Sequence, residues 1–211
     1  MKVLSQIKRV ALATGISLSA FSLQAQTWNK VSYLDPMRQD TFEYQNLVKY
    51  ISPIGASDSI AFQMAPNPYL KIAGKDKVAS IIVDISKNVL YKYDSEGNVE
   101  NAYLVASGKT STPTETGVRI VTHIERYPYR NAPKHTQRYK KPWNYGPRII
   151  CLNKIDTKTG KQSSTGEFIH GNSNPDSLGK HASKGCIRMD NEIIKQIAAV
   201  SKRGDIVVIQ K

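Results

Sequence analysis

The chain has 211 residues and carries 30 Lys and Arg against 17 Asp and Glu, which gives a formal net charge of +13. This length suffices for one domain with a sizeable core, and the absence of repeats excludes a repeat array. Its two cysteines, Cys151 and Cys186, are too few for a disulfide-built scaffold, although they could pair with each other. The positive charge favours an anionic partner without identifying it.

The first 25 residues have the order of a secretory signal peptide. Three basic residues among the first nine precede an apolar or small run over residues 10–23, and the sequence around Ala25 is small and polar. A membrane anchor is the weaker alternative because this run is short for a bilayer and contains polar residues. We predict cleavage near Ala25, which lowers the net charge by three to +10, and export to the periplasm or cell envelope. Nucleic acid and stable membrane insertion are not expected there.

Residues 26–76 are predicted to form an N-terminal extension, with a short helix around residues 37–50. From Lys77 the sequence changes to short β-rich runs separated by turn residues, which is typical of consecutive antiparallel strands. The runs cover residues 79–85, 89–93, 101–106, 118–124, 148–152, 167–170 and 205–210.

One segment, residues 191–201, has convincing helical spacing of its apolar residues, and Asp190 precedes it as an expected cap. Together with the β-rich runs, this predicts a mainly β fold, a sandwich or barrel, with one short helix after the loop that contains Cys186.

Two segments place a reactive side chain beside glycine. His170 ends an apolar run and precedes Gly171, so its ring should project where the backbone turns. Cys186 follows the small turn 183–185, whose consecutive backbone N–H groups can point toward one spot, as an oxyanion hole requires. Both segments therefore have the features expected of a catalytic site.

A cysteine thiol needs a nearby base to react near neutral pH, and an imidazole can accept the proton and later return it. His170 and Cys186 supply such a pair. No acid lies next to His170 or Cys186 in the sequence, so a backbone carbonyl, that of Gly171, is the expected partner of the second ring nitrogen. The backbone N–H groups of Lys184, Gly185 and Cys186 are the predicted oxyanion donors.

Each of these residues also has an ordinary structural interpretation, since single cysteines and histidines are often simply buried. A zinc site made of His170, His181 and Cys186 is a further alternative, but its intervals fit no standard ligand pairing, and no metal or cofactor is expected. His181 is a rival base in a polar loop with nothing evident to fix its ring. The pair and its glycines together favour catalysis.

These residues resemble the YkuD-type L,D-transpeptidases, whose pattern is a His-Gly pair, a glycine-containing loop, and Ser-His-Gly-Cys followed by an apolar residue and Arg. The opening hairpin, glycine turn, Thr-Pro-Thr segment and closing strand of that family also have counterparts. The match makes residues 77–210 the expected catalytic domain, although Lys184 stands where the family usually has histidine. The matching segments are His170-Gly171, Leu178-Gly179, 183–188, 82–91, 107–109, 112–114 and 204–209.

The resemblance implies that Cys186 attacks the amide carbonyl after the third residue of a peptidoglycan stem tetrapeptide and forms a thioester, while His170 gives its proton to the departing D-amino acid. An amine of another stem peptide or of an envelope protein would then accept the acyl group. Water as acceptor would make the protein an L,D-carboxypeptidase or related hydrolase. A non-catalytic wall-binding module is the alternative from another class.

Other residues leave alternatives open. Arg188, with Ser183, either fixes the cysteine loop or meets the substrate. The histidines His123 and His135 lie among basic residues, where both a solvated surface and a site for substrate carboxylates are plausible. The long segment 127–147 is either a lid over a cleft or a packed surface loop. Cys151 is expected to be an inert core residue.

Overall fold

The computed structural model describes residues 65–211. The predicted signal peptide, the helix expected around residues 37–50 and most of the predicted extension lie outside the described residues. Among the helices of the described part, none is long and apolar enough to cross a membrane.

Strands dominate the described residues, which confirms the predicted mainly β fold. The helix predicted after the cysteine loop is present as α2 (Asn191–Val200), and a four-residue helix that was not predicted, α1 (Gln137–Lys140), lies in segment 127–147. The strands are β1 (Tyr69–Ile72), β2 (Lys75–Asp84), β3 (Val89–Tyr93), β4 (Val99–Leu104), β5 (Ser107–Gly108), β6 (Gly117–Arg126), β7 (Arg148–Ile155), β8 (Gln162–His170), β9 (His181–Ser183), β10 (Ile187–Arg188) and β11 (Ile206–Gln210).

One large mixed sheet has the order β10-β8-β7-β6-β11-β2-β3-β4, and β1 pairs with β2 outside this path. The consecutive strands β2, β3 and β4 are antiparallel, as their short turns predict. The last strand, β11, lies between β6 and β2, antiparallel to the first and parallel to the second. The C-terminal strand therefore joins the two halves of the sheet.

The sheet begins before Lys77, the residue at which the β-rich part of the sequence was predicted to start. Tyr69 in β1 is paired with Val78 in β2, and β2 itself starts at Lys75. Residues 69–76 are therefore continuous with the sheet in the described structure, while the extension as a separate unit stays a prediction.

The main apolar core lies between one face of the large sheet and α2. Alternating residues of β2 divide between the two faces, since Ile81 and Val83 join this core and Ile82 joins a second cluster. The predicted cap of α2 is confirmed: the Asp190 carboxylate accepts hydrogen bonds from the backbone N–H groups of Glu192 at 2.8 Å and Ile193 at 3.2 Å. This helix packs against β7, and its apolar residues share the main core with Ile169 and Ile187 of the two motif strands.

An ion pair between Arg119 on β6 and Glu167 on β8 is enclosed in the fold. The Arg119 side chain is fully buried, and its Nε and Nη2 atoms both donate to the Glu167 carboxylate, the second at 3.2 Å. Nη2 also donates to the backbone carbonyl of Glu115 at 3.0 Å. These bonds compensate for the cost of burying a charge and connect strands on either side of β7.

Removal of one partner should therefore destabilise the protein strongly. We expect Glu167→Ala to lower the free energy of unfolding by about 3–5 kcal/mol, because the Arg119 charge stays buried without its partner. Chemical denaturation measures the change. The control is Lys71→Ala, which breaks the exposed Lys71–Asp76 pair and should cost less than about 1 kcal/mol. Equal losses in the two variants would contradict the inference.

Candidate active site

The two motifs meet through the parallel pairing of β8 with β10. Ile187 is in register with Ile169, and Arg188 with His170. Side chains alternate between the faces of a strand, so His170 and Arg188 share one face while Ile169 and Ile187 point into the main core. Cys186 precedes β10 by one residue and continues this alternation beside Phe168. The histidine and the cysteine predicted from the sequence are thus brought to the same face and the same edge of the sheet.

His170 is buried and held in one orientation. Its side chain is 4% exposed, and its Nδ1 atom lies 2.6 Å from the carbonyl oxygen of Gly171, to which it donates. That bond leaves Nε2 as the unprotonated nitrogen of the neutral ring. Burial is the main cause that lowers the pKa of His170 to about 4; the Gly171 hydrogen bond opposes this shift, and the positive charge of Arg188 adds to it. The ring is therefore neutral at pH 7 and able to accept a proton.

Cys186 is a free, half-buried cysteine. Burial raises the pKa of its thiol, the Phe168 backbone hydrogen bond lowers it, the Glu167 carboxylate raises it and the Arg188 guanidinium lowers it. The net effect is a raised pKa of the Cys186 thiol, so the thiol and the His170 imidazole are both neutral before substrate binds. This pair differs from a preformed thiolate–imidazolium pair, because proton transfer must accompany attack.

The cysteine loop is held by two hydroxyl groups. Ser183 donates to the Cys186 carbonyl at 2.6 Å and accepts from the Gly185 N–H at 3.0 Å. Thr114 donates to the Gly185 carbonyl at 2.9 Å and accepts from the Gly108 N–H at 2.8 Å. Gly185 has φ +115°, a conformation that L side chains rarely adopt. Through these contacts, Ser183 holds the cysteine loop in its conformation.

The same contacts alter the predicted set of oxyanion donors. Because the Gly185 N–H already donates to Ser183 Oγ, it is not available to a substrate oxyanion in this conformation. The predicted set of three is thereby reduced to the backbone N–H groups of Lys184 and Cys186. The Lys184 side chain is exposed.

The backbone after His170 is clamped by the start of α2. Asn191 accepts from the Asn172 N–H at 2.8 Å and donates to the Asn172 carbonyl at 3.0 Å. A Cβ atom at Gly171 would lie 2.4 Å from Asn191 Oδ1 and 2.8 Å from Pro147, so only glycine fits this close approach. The clamp fixes the carbonyl that orients His170.

Segment 127–147 packs over these residues. The ring of Tyr145 lies 4.7 Å from that of His170, and Tyr145 also contacts Phe168 edge-on at 6.3 Å. The hydroxyl of Tyr129 donates to the Tyr145 and Gly146 carbonyls and holds this end of the segment. Burial raises the pKa of Tyr145, and the Cys186 sulfur raises it further. Tyr145 therefore contacts His170 directly, and it interacts electrostatically with Cys186.

The remaining predicted residues occupy different places. Arg188 is half-buried, and its charge acts on the pKa of both His170 and Cys186. The expectation that nothing fixes the His181 ring is wrong. Its Nδ1 atom lies 2.7 Å from Ser107 Oγ, which in turn donates to Asn88 Oδ1 at 2.6 Å. That bond occupies one ring nitrogen of His181 in a polar network outside the pair.

Cys151 and Cys186 are both free. Cys151 on β7 is in register with Phe168 on β8, and Cys186 follows on the far side of Phe168. Two strand spacings separate their backbones by about 10 Å, which is beyond the reach of a disulfide without backbone movement. Burial raises the pKa of Cys151 to about 12.

Sequence reasoning missed three residues that support this site. Tyr145 sits in a long segment without a diagnostic spacing, and Asn191 looks like an ordinary first residue of a helix. Thr114 belongs to a motif that was recognised, but its hydrogen bonds to the cysteine loop depend on a fold contact across 71 positions of sequence. Only the Thr-Pro-Thr pattern could have indicated one of them.

The sequence places the chain in a known family. The model of the L,D-transpeptidase catalytic domain, called YkuD, matches residues 79–209. The chain therefore belongs to the L,D-transpeptidase catalytic domain family, which confirms the resemblance found in its motifs.

Individual relatives agree with this assignment. A Bacillus subtilis protein provisionally named L,D-transpeptidase YkuD is 28% identical over 159 residues, covering 74% of this chain and 77% of the relative. A Bacillus licheniformis protein with the same name is 30% identical over 124 residues, covering 59% of this chain and 61% of the relative.

Solved structures give weaker likenesses. An L,D-transpeptidase from Mycobacterium smegmatis has a TM-score of 0.44 at 17% identity and covers 69% of each chain. The catalytic domain of the Enterococcus faecium L,D-transpeptidase has a TM-score of 0.43 at 22% identity, covering 63% of this chain and 97% of that one.

The raised pKa of Cys186 predicts slow alkylation at neutral pH. The iodoacetamide reaction should follow a thiol pKa above the ordinary 9.0, and Arg188→Gln should raise it further because a nearby positive charge is lost. Peptide mass spectrometry at a series of pH values locates and times the modification. The exposed Arg203→Gln variant is the control. A midpoint near neutral pH would instead reveal a stabilised thiolate.

Proposed function

We propose that this protein is an exported peptidoglycan L,D-transpeptidase in which Cys186 is the nucleophile and His170 the general base. Family membership supports the reaction class. The observation that carries the assignment to these residues is their common face at the β8–β10 edge, with His170 Nδ1 bound to the Gly171 carbonyl at 2.6 Å. This tautomer presents Nε2 as the proton acceptor.

Acylation begins from a neutral thiol and a neutral imidazole. As the sulfur attacks the amide carbonyl after the third residue of a stem tetrapeptide, the thiol proton moves to His170 Nε2. The tetrahedral intermediate collapses to a thioester, the C–N bond breaks, and the imidazolium returns the proton to the departing D-amino acid. Cys186 is left acylated and His170 is neutral again, so the step balances.

The negative oxygen of the tetrahedral intermediate would be bound by the backbone N–H groups of Lys184 and Cys186. The Ser183 and Thr114 hydroxyls hold this loop through the carbonyls of Cys186 and Gly185. Fixed donors need no reorganisation as charge develops, and loss of one donor in such sites costs about 100- to 1,000-fold in rate. The loop contacts therefore support an acyl-transfer site.

An amine then attacks the thioester and receives the acyl group. The acceptor is proposed to be a second stem peptide or an envelope protein, and hydrolysis by water is the carboxypeptidase alternative. A wall-binding module without catalysis is disfavoured by the presented nucleophile and oriented base. Export is supported by the signal-like residues 1–25, and the basic surface suits the carboxylates of peptidoglycan stems.

A direct test uses the purified mature protein with a stem tetrapeptide and an amine acceptor. We expect mass spectrometry to detect a covalent acyl-enzyme, release of the terminal D-amino acid and an acceptor-linked product. Cys186→Ala should abolish all three. Cys151→Ala is the matched control and should retain them if it folds, because its thiol lies outside the pair. A product that forms equally in Cys186→Ala would refute the nucleophile, and release without an acceptor-linked product would favour hydrolysis.

The base has a separate test in the pH dependence of acylation. His170→Ala should slow acylation by at least about 100-fold, while His181→Ala retains most of the rate. The low pKa of His170 keeps its base form populated down to about pH 4, so the acidic limb of kcat/KM should fall near 4 and not near the ordinary 6.5. Larger losses in His181→Ala would assign the base to that residue.

A further inference from the structure

A second cluster of chemically reactive side chains lies on the same sheet, two strands from Cys186. His123 on β6 is in register with Cys151 on β7, and Glu125 follows His123 by two residues on the same face. One donor atom from each of these three side chains lies within 4.8 Å of the other two. The β-bulge between Val121 and His123 sets this arrangement, because it shifts the register of β6 against β7.

The three side chains of the cluster differ in their exposure to solvent. Cys151 is 3% exposed, the Glu125 side chain 11% and the His123 side chain 57%. The thiol thus forms the floor of the cluster, and the imidazole stands at its open side.

The hydrogen bonds of His123 aim one ring nitrogen into the cluster. Thr122 Oγ1 donates its proton to the Cys151 carbonyl at 3.1 Å, so it can accept a hydrogen bond from His123 Nδ1, which lies 3.0 Å away. Its Nε2 atom lies 3.1 Å from Glu125 Oε1. A metal-bound histidine usually donates its second ring N–H to an oxygen acceptor, and Thr122 Oγ1 lies where such an acceptor is needed. Nε2 and the carboxylate oxygen therefore converge on one point.

The polar groups of the cluster are incompletely satisfied. Glu125 Oε2 and Arg138 Nε are buried without a hydrogen-bond partner. Arg138 comes from α1 and places Nη2 3.4 Å from Glu125 Oε1, with its guanidinium 5.1 Å above the Phe168 ring. Buried polar atoms normally have partners, so Glu125 Oε2 retains the capacity to bind a cation beside the thiol and the imidazole.

We propose that His123 Nε2, the Glu125 carboxylate and Cys151 Sγ bind a zinc ion. Imidazole, carboxylate and thiolate are all ligands of Zn²⁺, whereas Mg²⁺ and Ca²⁺ favour sites made of oxygen. On binding, the S–H bond of Cys151 breaks, a Zn–S bond forms and the proton passes to solvent. A water molecule at the open side completes four-coordination. Its three ligands are separate from the Cys186 and His170 pair.

Arg138 competes with this ion for the Glu125 carboxylate. Its guanidinium already contacts Oε1, and its positive charge opposes a dication at the same place. Because Arg138 belongs to segment 127–147, which also carries Tyr145, zinc would release one of the contacts that hold the segment over the sheet. Loss of the Arg138 charge should accordingly tighten zinc binding.

Zinc titration of the purified protein tests the site, with Cys186→Ser as the background so that the second thiol does not contribute. We expect one Zn²⁺ per chain by calorimetry with a competing chelator. His123→Gln and Glu125→Gln should each weaken binding by at least about tenfold, and Arg138→Gln should tighten it. His135→Gln is the matched control, an exposed histidine of the neighbouring segment, and should bind as the background protein does.

Cobalt substitution identifies the sulfur ligand. The Co²⁺ form should show a thiolate-to-metal charge-transfer band that is absent in Cys151→Ser. His123 is largely exposed, so the His123→Gln variant should fold. Its zinc affinity therefore tests the site even if the Cys151→Ser variant does not fold. Failure to bind one Zn²⁺, unchanged binding in His123→Gln, or a Co²⁺ spectrum without thiolate character would each overturn the proposal.

Discussion

The parallel pairing of β10 with β8 is the contact on which the candidate site depends. It sets Arg188 opposite His170, and by the alternation of the strand it brings Cys186 to the same face. The two-residue strand β10 is too short to hold this register alone. Backbone hydrogen bonds of 2.9 Å in both directions between Ala106 and Arg188, together with the apolar side chain of Ile187 in the main core, hold it in place.

Burial, more than charge, determines the chemistry of this pair. It lowers the pKa of His170 and raises that of Cys186, so that both are neutral before substrate arrives. The Arg188 and Glu167 charges act on the thiol in opposite directions, and Glu167 is itself neutralised by the buried Arg119. Since the thiolate is the form that reacts with oxidants, the neutral Cys186 thiol is less open to oxidation than a stabilised thiolate would be.

Segment 127–147 connects the candidate active site with the proposed zinc site. One end presents Tyr145 to His170, and its helix α1 presents Arg138 to Glu125. Phe168 lies between them and contacts both. The segment is thus neither a bare lid nor a simple surface loop, because its packing depends on side chains from three neighbouring strands. An ion bound at one end would alter the contacts of the segment that covers the other.

The sequence by itself determined the local features: the hairpins from β2 to β4, helix α2 with its Asp190 cap, the family, and the His170 and Cys186 motifs as site candidates. These follow from period, turn chemistry and short motifs, which depend only on near neighbours in the chain. Tertiary structure alone decided the place of β11 between β2 and β6, the Gly185–Ser183 bond that removes one of the predicted oxyanion donors, and the meeting of His123 with Cys151. Strand register and loop conformation determine these three features. Each joins residues whose spacing in the sequence follows no periodic pattern that would indicate the contact.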